Sequence, residues 1–391
     1  MEFKTLQELC TEIIDCPHTT PEWKTEGIPV IRNYNLQNGF IDKSKLSFVD
    51  NDTYLQRIKR GMPQVDDIIF SREAPVGSVA IMPSNFRCCL GQRLVLLKVN
   101  KSICDPHYLL YVMLSDFVKK QYKTVEKTGS IVSNFNIGDL KNLVIPYVDI
   151  AIQKKIGKMC GMLDRKIAVN NLTIENLESM AKTLYDYWFV QFDFPDANGR
   201  PYKTSGGKMK WNETLSREIP AGWGITTLEK YFEIGNGKDH SQLEDGIYPV
   251  YGSGGLMRRV NKFLCNEESV LIPRKGTLNN VMHVRGAFWT VDTMYYTKMK
   301  RVNIANYVYQ TVNLFNFEKL NTGSALPSMT ASIIYSLKVP NAPTFLIDKY
   351  EKYAAEFFTK IQLLEEENRK LGSLRDFLLP MLMNGQVTFR Q

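Results

Sequence analysis

Two stretches of the chain carry apolar side chains at steps that alternate strictly between four and three. In residues 151–190 these are Ile156, Cys160, Leu163, Ile167, Asn170, Ile174, Leu177, Ala181, Leu184 and Trp188, the spacing of a coiled-coil seam. The last part of the chain repeats it with Ala354, Phe357, Ile361, Leu364, Asn368, Leu371, then Arg375 or its neighbour Leu374, then Leu378 and Leu382. Each stretch predicts a helix of about 39 residues, roughly 58 Å long at ~1.5 Å per residue. That is too long to hide in one small domain. The roughly 150 residues before each helix show shorter patterns. Apolar runs at Ile28–Ile31, 68–70, 79–82 and Leu94–Val99, separated by Gly27, Gly39, Gly61, Gly77 and Gly91, read as strands. Residues 108–122, opened by Asp105-Pro106, read as a helix. Matching runs at 248–251, 270–272, 281–284 and Met294–Met299 precede a second helical stretch near 304–315.

The two halves are related. A shift of 194 residues lays Gly129-Ser130 on Gly323-Ser324, Leu143 on Leu337, Pro146 on Pro340, Lys166-Ile167 on Lys360-Ile361 and Leu177 on Leu371. Upstream the offset grows: Pro29-Val30 resembles Pro249-Val250, and Thr5-Leu6 resembles Thr227-Leu228. The expected fold is therefore α+β: two mixed α/β globules, each followed by a long helix, with the helices packed as an antiparallel coiled coil. Placing Asn170 opposite Asn368 gives volume-matched layers, such as Ala181 against Phe357, and a paired Asn penalises slipped registers. One layer fits badly, with Leu163 facing Arg375. The alternative is two separate amphipathic helices, each packed on its own globule. The expected boundaries are 1–148 and 191–343 for the globules, 149–190 and 344–391 for the helices.

Composition sharpens this. With 391 residues, 44% hydrophobic and 23% charged, the chain has length for two domains and material for real cores. The net charge of +8 leans toward a polyanionic partner. It is unevenly spread: residues 1–150 hold 18 basic and 17 acidic groups, whereas 191–345 hold 18 and 13. There is no run of 18 apolar residues, and Glu2, Lys4 and Glu8 interrupt the start, so a cytoplasmic protein without membrane contact is expected. The seven cysteines include no C-x-x-C and are expected to be mostly buried thiols.

Catalytic patterns are missing. Gly235-Asn236-Gly237-Lys238, Gly206-Gly207-Lys208 and Gly252-Ser253-Gly254-Gly255 lack phosphate-loop spacing and read as turns. No Pro-Pro pair exists to form the base-amino clamp of a methyltransferase. Asp15, Glu22 and Lys24 only faintly mimic a metal-dependent nuclease, because a Pro-rich loop separates them. The four histidines are scattered without zinc spacing, so no metal or cofactor is expected. What remains is binding chemistry. Basic, amide and aromatic side chains interleave at Arg32-Asn33-Tyr34, Arg57 with Lys59-Arg60, Arg72, Arg87, Gln92-Arg93, Tyr251, Arg258-Arg259, Arg274-Lys275 and Asn279-Asn280. Such groups neutralise phosphates and bond to base edges.

These features resemble the specificity (S) subunit of Type I restriction-modification systems. The likeness is carried by Asp15-Cys16-Pro17-His18-Thr19-Thr20-Pro21, by GIPVIRNYNL at 27–36, DDIIFSREAPVG at 66–77, LYDYWFVQFDFP at 184–195 and LRDFLLPMLMNGQV at 374–387. It implies two target recognition domains held apart by paired helices. It also implies a non-catalytic subunit that binds double-stranded DNA at a two-part asymmetric target and brings methyltransferase (modification) and restriction subunits to it. The second domain departs from the first, with Gly235–Asp239-His240 and LIPRKGT at 271–277 in the matching places, so each domain is expected to read a different sequence. DNA contacts are expected at His18, Arg32, Tyr34 and Arg72 in the first domain and at Tyr251, Arg258, Arg274 and Lys275 in the second. Tyr185, Tyr187, Trp188 and Phe189 are candidates for docking partner subunits, with core packing the alternative for Trp188. An autonomous DNA-processing enzyme and a pure protein-interaction scaffold are the rival readings.

Overall fold

The strand at Leu94–Val99 shows why its neighbours read as continuous apolar runs. Leu94 and Leu96 join one hydrophobic cluster while Val95, Leu97 and Val99 join another, as do Ile69 and the pair Ile68 and Phe70 on the next strand. A sheet covered on both faces has no polar side to alternate with. This is seen in a computed structural model that describes residues 2–126, 135–320 and 327–389. The repeat pair Gly129-Ser130 and Gly323-Ser324 lies outside the described residues. The chain divides into two compact units, one made of Met1–Asn170 with Glu365–Gln391 and the other of Asn171–Leu364.

Within the first unit an antiparallel sheet runs in the order Cys10–Asp15, Leu94–Val99, Ile68–Ser71, Val79–Ile81. A short strand Ile28–Ile31 pairs in parallel with Cys89–Leu90, and Glu2–Thr5 pairs with Val144–Tyr147. The second unit repeats this order with Phe232–Asn236, Met294–Met299, Ser269–Pro273 and Met282–Val284. Its parallel pair is Asp245–Gly252 with Ala287–Thr290, and Gly224–Thr227 pairs with Lys338–Asn341. The weak sequence likeness has a structural counterpart. The Leu6 N–H donates to the Leu143 carbonyl at 2.9 Å, and the Leu228 N–H to the Leu337 carbonyl at 3.0 Å. The predicted helix at 108–122 is two helices, Pro106–Leu114 and Asp116–Glu126, the first N-capped by Asp105.

Two long helices complete the mixed α/β architecture, Ile150–Tyr185 with 36 residues and Thr344–Met383 with 40. A π-helical turn, Asp186–Val190, follows the first. In the first unit Ile156 and Cys160 share a cluster with Leu379, Leu382 and Met383. In the second unit Tyr185, Trp188, Tyr350 and Ala354 do the same. Asn170, buried, donates to Asn368 Oδ1 at 2.9 Å and to Glu367 Oε2 at 2.8 Å. The layer that looked mismatched is resolved by a neighbour. Arg375 donates to Asp164 at 2.6 Å, the Tyr111 hydroxyl donates to the same carboxylate at 2.7 Å, and Asp164 is only 4% exposed. Arg375 is half-buried against Asp164, whereas its neighbour Leu374 is 45% exposed.

The aromatic motif at 184–195 corrects an expectation. Tyr185, Trp188 and Phe189 are buried in the core of the second unit together with Phe192 and Phe194, and of the four docking candidates only Tyr187 is exposed. These rings pack edge to face, Phe189 on Tyr307 at 4.9 Å and on Tyr350 at 5.5 Å. No helix among the described residues is long and apolar enough to cross a membrane.

Candidate nucleic-acid interface

Strand Cys10–Asp15 delivers the chain into the Pro-flanked loop at 16–21, and three groups hold that loop in place. Arg57, 6% exposed, donates from Nε to the Leu90 carbonyl, from Nη1 to Thr19 and from Nη2 to Pro17, at 2.9, 3.0 and 3.3 Å. Gln92 Nε2 donates to the His18 carbonyl and to Thr20 Oγ1. Arg72 closes the base of the loop, with Nη1 at 2.9 and 3.0 Å from the two oxygens of Asp15 and Nε donating to the Phe135 carbonyl. A planar guanidinium that satisfies several fixed acceptors at once is a rigid staple. The exposed His18 ring is oriented by Asp15 at 2.9 Å.

Beside this loop lies a cation held between two exposed rings. The guanidinium of Arg32 sits 5.0 Å from the ring centroids of both Trp23 and Tyr34, which are 39% and 42% exposed. Among the described residues Arg32 makes no ion pair. Its backbone N–H is fixed by Asn35 Oδ1 at 2.9 Å, and the Tyr34 hydroxyl is 3.2 Å from Ser47 Oγ. Two aromatic faces restrain the arginine while its donor edge stays unspent, as bidentate contact with a phosphate or a guanine requires.

In the second unit Arg258 plays the part that Arg57 plays in the first. It donates to the carbonyls of His240 and Leu243, both at 2.7 Å, and to His240 Nδ1, and so closes the loop after Phe232–Asn236. Tyr251 is half-buried on strand Asp245–Gly252 with its ring edge toward Phe288. Arg274 and Lys275 follow strand Ser269–Pro273. Arg274 lies 5.8 Å from the Tyr295 ring, and neither side chain makes an ion pair among the described residues. The neighbouring turn is held by Asn280 donating to the Ser253 carbonyl, and Gly276, at φ +86°, passes so close that an added Cβ would stand 2.7 Å from Ser253 Oγ.

The structure thus brings His18 to the Asp15–Arg72 pair, with Arg32 and Tyr34 in contact nearby, and sets Arg274 beside Lys275. It also separates roles that sequence reasoning merged. Arg72 and Arg258 are spent on internal partners. Arg32, Arg274 and Lys275 make no ion pair among the described residues. Trp23 was missed, although an exposed tryptophan a few residues before an Arg-Asn-Tyr cluster was a readable signal. Asp15 is occupied by Arg72, Lys24 pairs with Glu22, and no metal-binding cluster occurs among the described residues. Six cysteines are buried and Cys10 is half-buried. Burial pushes the thiols of Cys10, Cys88 and Cys160 up to about 12, so they stay protonated and unreactive near neutral pH.

Residues 1–179 match the family model of the Type I restriction modification DNA specificity domain. The chain is 23% identical over 346 residues to the type I restriction enzyme MjaIX specificity subunit of Methanocaldococcus jannaschii, spanning 82% of this chain and 77% of the relative. It is also 23% identical over 354 residues to the type I restriction enzyme EcoprrI specificity subunit of Escherichia coli, spanning 81% and 83%. The fold is similar to that of the S subunit of a Type I restriction-modification system from M. genitalium, with a TM-score of 0.56 and 18% identity over 97% of this chain and 95% of that one. Residues 1–179 are thus similar to Type I DNA specificity domains, and the chain as a whole is similar to specificity subunits of type I restriction enzymes.

Proposed function

We propose that this chain reads a bipartite, asymmetric DNA target and directs modification and restriction subunits to it. In this reading residues 1–148 and 191–343 are the recognition domains, and 149–190 and 344–391 form an antiparallel coiled coil that spaces them. The observation that carries it is the duplicated strand order bearing a different set of available cations in each unit. The first unit offers Arg32 between Trp23 and Tyr34, the second Arg274 with Lys275. One scaffold with two unlike surfaces suits two unlike half-sites. His18, Arg32 and Tyr34 would contact the first half, and Tyr251, Arg274 and Lys275 the second, with Arg72 and Arg258 setting the loops behind them.

The spacer follows from element lengths. Helices of 36 and 40 residues are about 54–60 Å long at ~1.5 Å per residue. That suits half-sites about one to two turns of DNA apart, at ~34 Å per turn, with the bases between them unread. Tethering also raises the effective concentration of the second domain at its half-site once the first has bound.

The test is to co-express the chain with its cognate modification subunit and map the methylated motif across a genome. The expected motif is split by a run of unspecified bases, and exchanging residues 1–148 for those of a relative changes one half only. A continuous motif, or a change in both halves, overturns the reading.

A further inference from the structure

Arg72 and Arg274 occupy the same position of the duplicated fold. The Arg72 N–H donates to the Arg93 carbonyl at 2.8 Å, and its own carbonyl accepts from the Phe135 N–H at 3.0 Å. The Arg274 N–H donates to the Thr293 carbonyl and its carbonyl accepts from the Met329 N–H, both at 2.8 Å. Strand registers agree, with Ser71 opposite Leu94 and Pro273 opposite Met294. One step further, Val95 lies between Phe70 and Asp15, and Tyr295 lies between Ile272 and Asn236. Asp15 and Asn236 are therefore equivalent, each at the end of the sheet's first strand.

The chemistry at that position differs by one charge. Asp15 accepts two hydrogen bonds from Arg72 Nη1, and Arg72 is buried. A carboxylate beside a guanidinium cancels its charge toward any outside anion and fixes its geometry. Asn236 has no charge to cancel, and Arg274, half-buried, lies on Tyr295 where the first unit has Val95. We infer that this strand-end residue is a charge lock on the arginine across from it: closed by Asp15 in the first domain and left open by Asn236 in the second, where Arg274 takes a DNA phosphate. The inference rests on the DNA-reading function proposed above. The Asp15–Asn236 difference supplies one of the four charges by which residues 191–345, at +5, exceed residues 1–150, at +1.

The test uses the full chain and a random-sequence duplex of about 40 base pairs, with affinity measured across a series of KCl concentrations. Each lost phosphate contact lowers the slope of log affinity against log salt by ~0.9. Arg274→Gln is expected to lower the slope by that amount, uniformly across sequences. Asn236→Asp, which restores the lock, is expected to do the same while leaving Arg274 in place. Asp15→Asn is expected to raise the slope by a similar step. The lock is overturned if Arg274→Gln lowers the slope and Asn236→Asp does not, and the phosphate contact is overturned if Arg274→Gln leaves it unchanged. Wild-type chain that binds this duplex without salt dependence overturns the DNA-reading function itself, and the lock with it.

Discussion

Arg57 shows how a single buried cation can hold a surface loop from beneath. Its three carbonyl partners belong to Leu90, Thr19 and Pro17. Arg57→Ala leaves those acceptors without their donor and is expected to cost about 2–3 kcal/mol, read from urea unfolding. It should weaken reading of the first half-site while sparing the second. Glu351 offers a pH test. It is buried and accepts from the Tyr307 N–H and from Asn306 Nδ2, at 2.7 and 2.6 Å, and burial raises its pKa to about 6. Because the folded pKa lies above the unfolded one, the folded state holds the extra proton between ~4.5 and ~6. The stability this confers is complete below that window and is lost as pH rises through it. Glu351→Gln is expected to flatten the fall in urea midpoint between pH 4.5 and 7, and an unchanged profile would contradict the assignment. At this scale the sequence was partly legible. His18, Arg32, Tyr34, Arg274 and Lys275 stood out as polar or aromatic clusters. Arg72, expected as a DNA contact, and Arg57, grouped with the other cations, read as available at the surface, because nothing local reveals an acceptor 33 to 63 residues away.

Long helices were the most legible elements, since their seam positions recur over many turns and each turn repeats the same evidence. All seam residues of both helices are buried or half-buried. The apparent flaw at Arg375 was misread because its partner, Asp164, is the residue next to the seam position Leu163 and not on the seam itself. Arg375→Leu would perfect the apolar pattern and yet is expected to destabilise by roughly 3–5 kcal/mol, since it strands a buried carboxylate. Denaturant unfolding checks this, and a neutral or stabilising effect would show the pair to be dispensable. Strand positions were legible wherever both faces were covered. The interruption at Ser115 was not, because the segment's apolar content continues through it, and what breaks the helix is a backbone turn with the Ser115 Oγ donating to the Val112 carbonyl.

On the scale of the whole molecule, length and internal repetition pointed to two related parts, and the strand orders agree. What they did not disclose is how the chain is shared between the units. The first unit takes Met1–Asn170 and then Glu365–Gln391, which supply Leu379, Leu382 and Met383 to its core, while the second is the uninterrupted segment between. Removing residues 365–391 is therefore expected to expose the first unit, not the second. Hydrogen exchange should show lost protection in Leu94–Val99 and retained protection in Met294–Met299. The order of synthesis follows from the same division. The second unit can close as soon as its own segment has left the ribosome, whereas the first, though begun earlier, must wait with an unfinished core until the whole of the second has been made. The part of the protein translated first is the part that matures last.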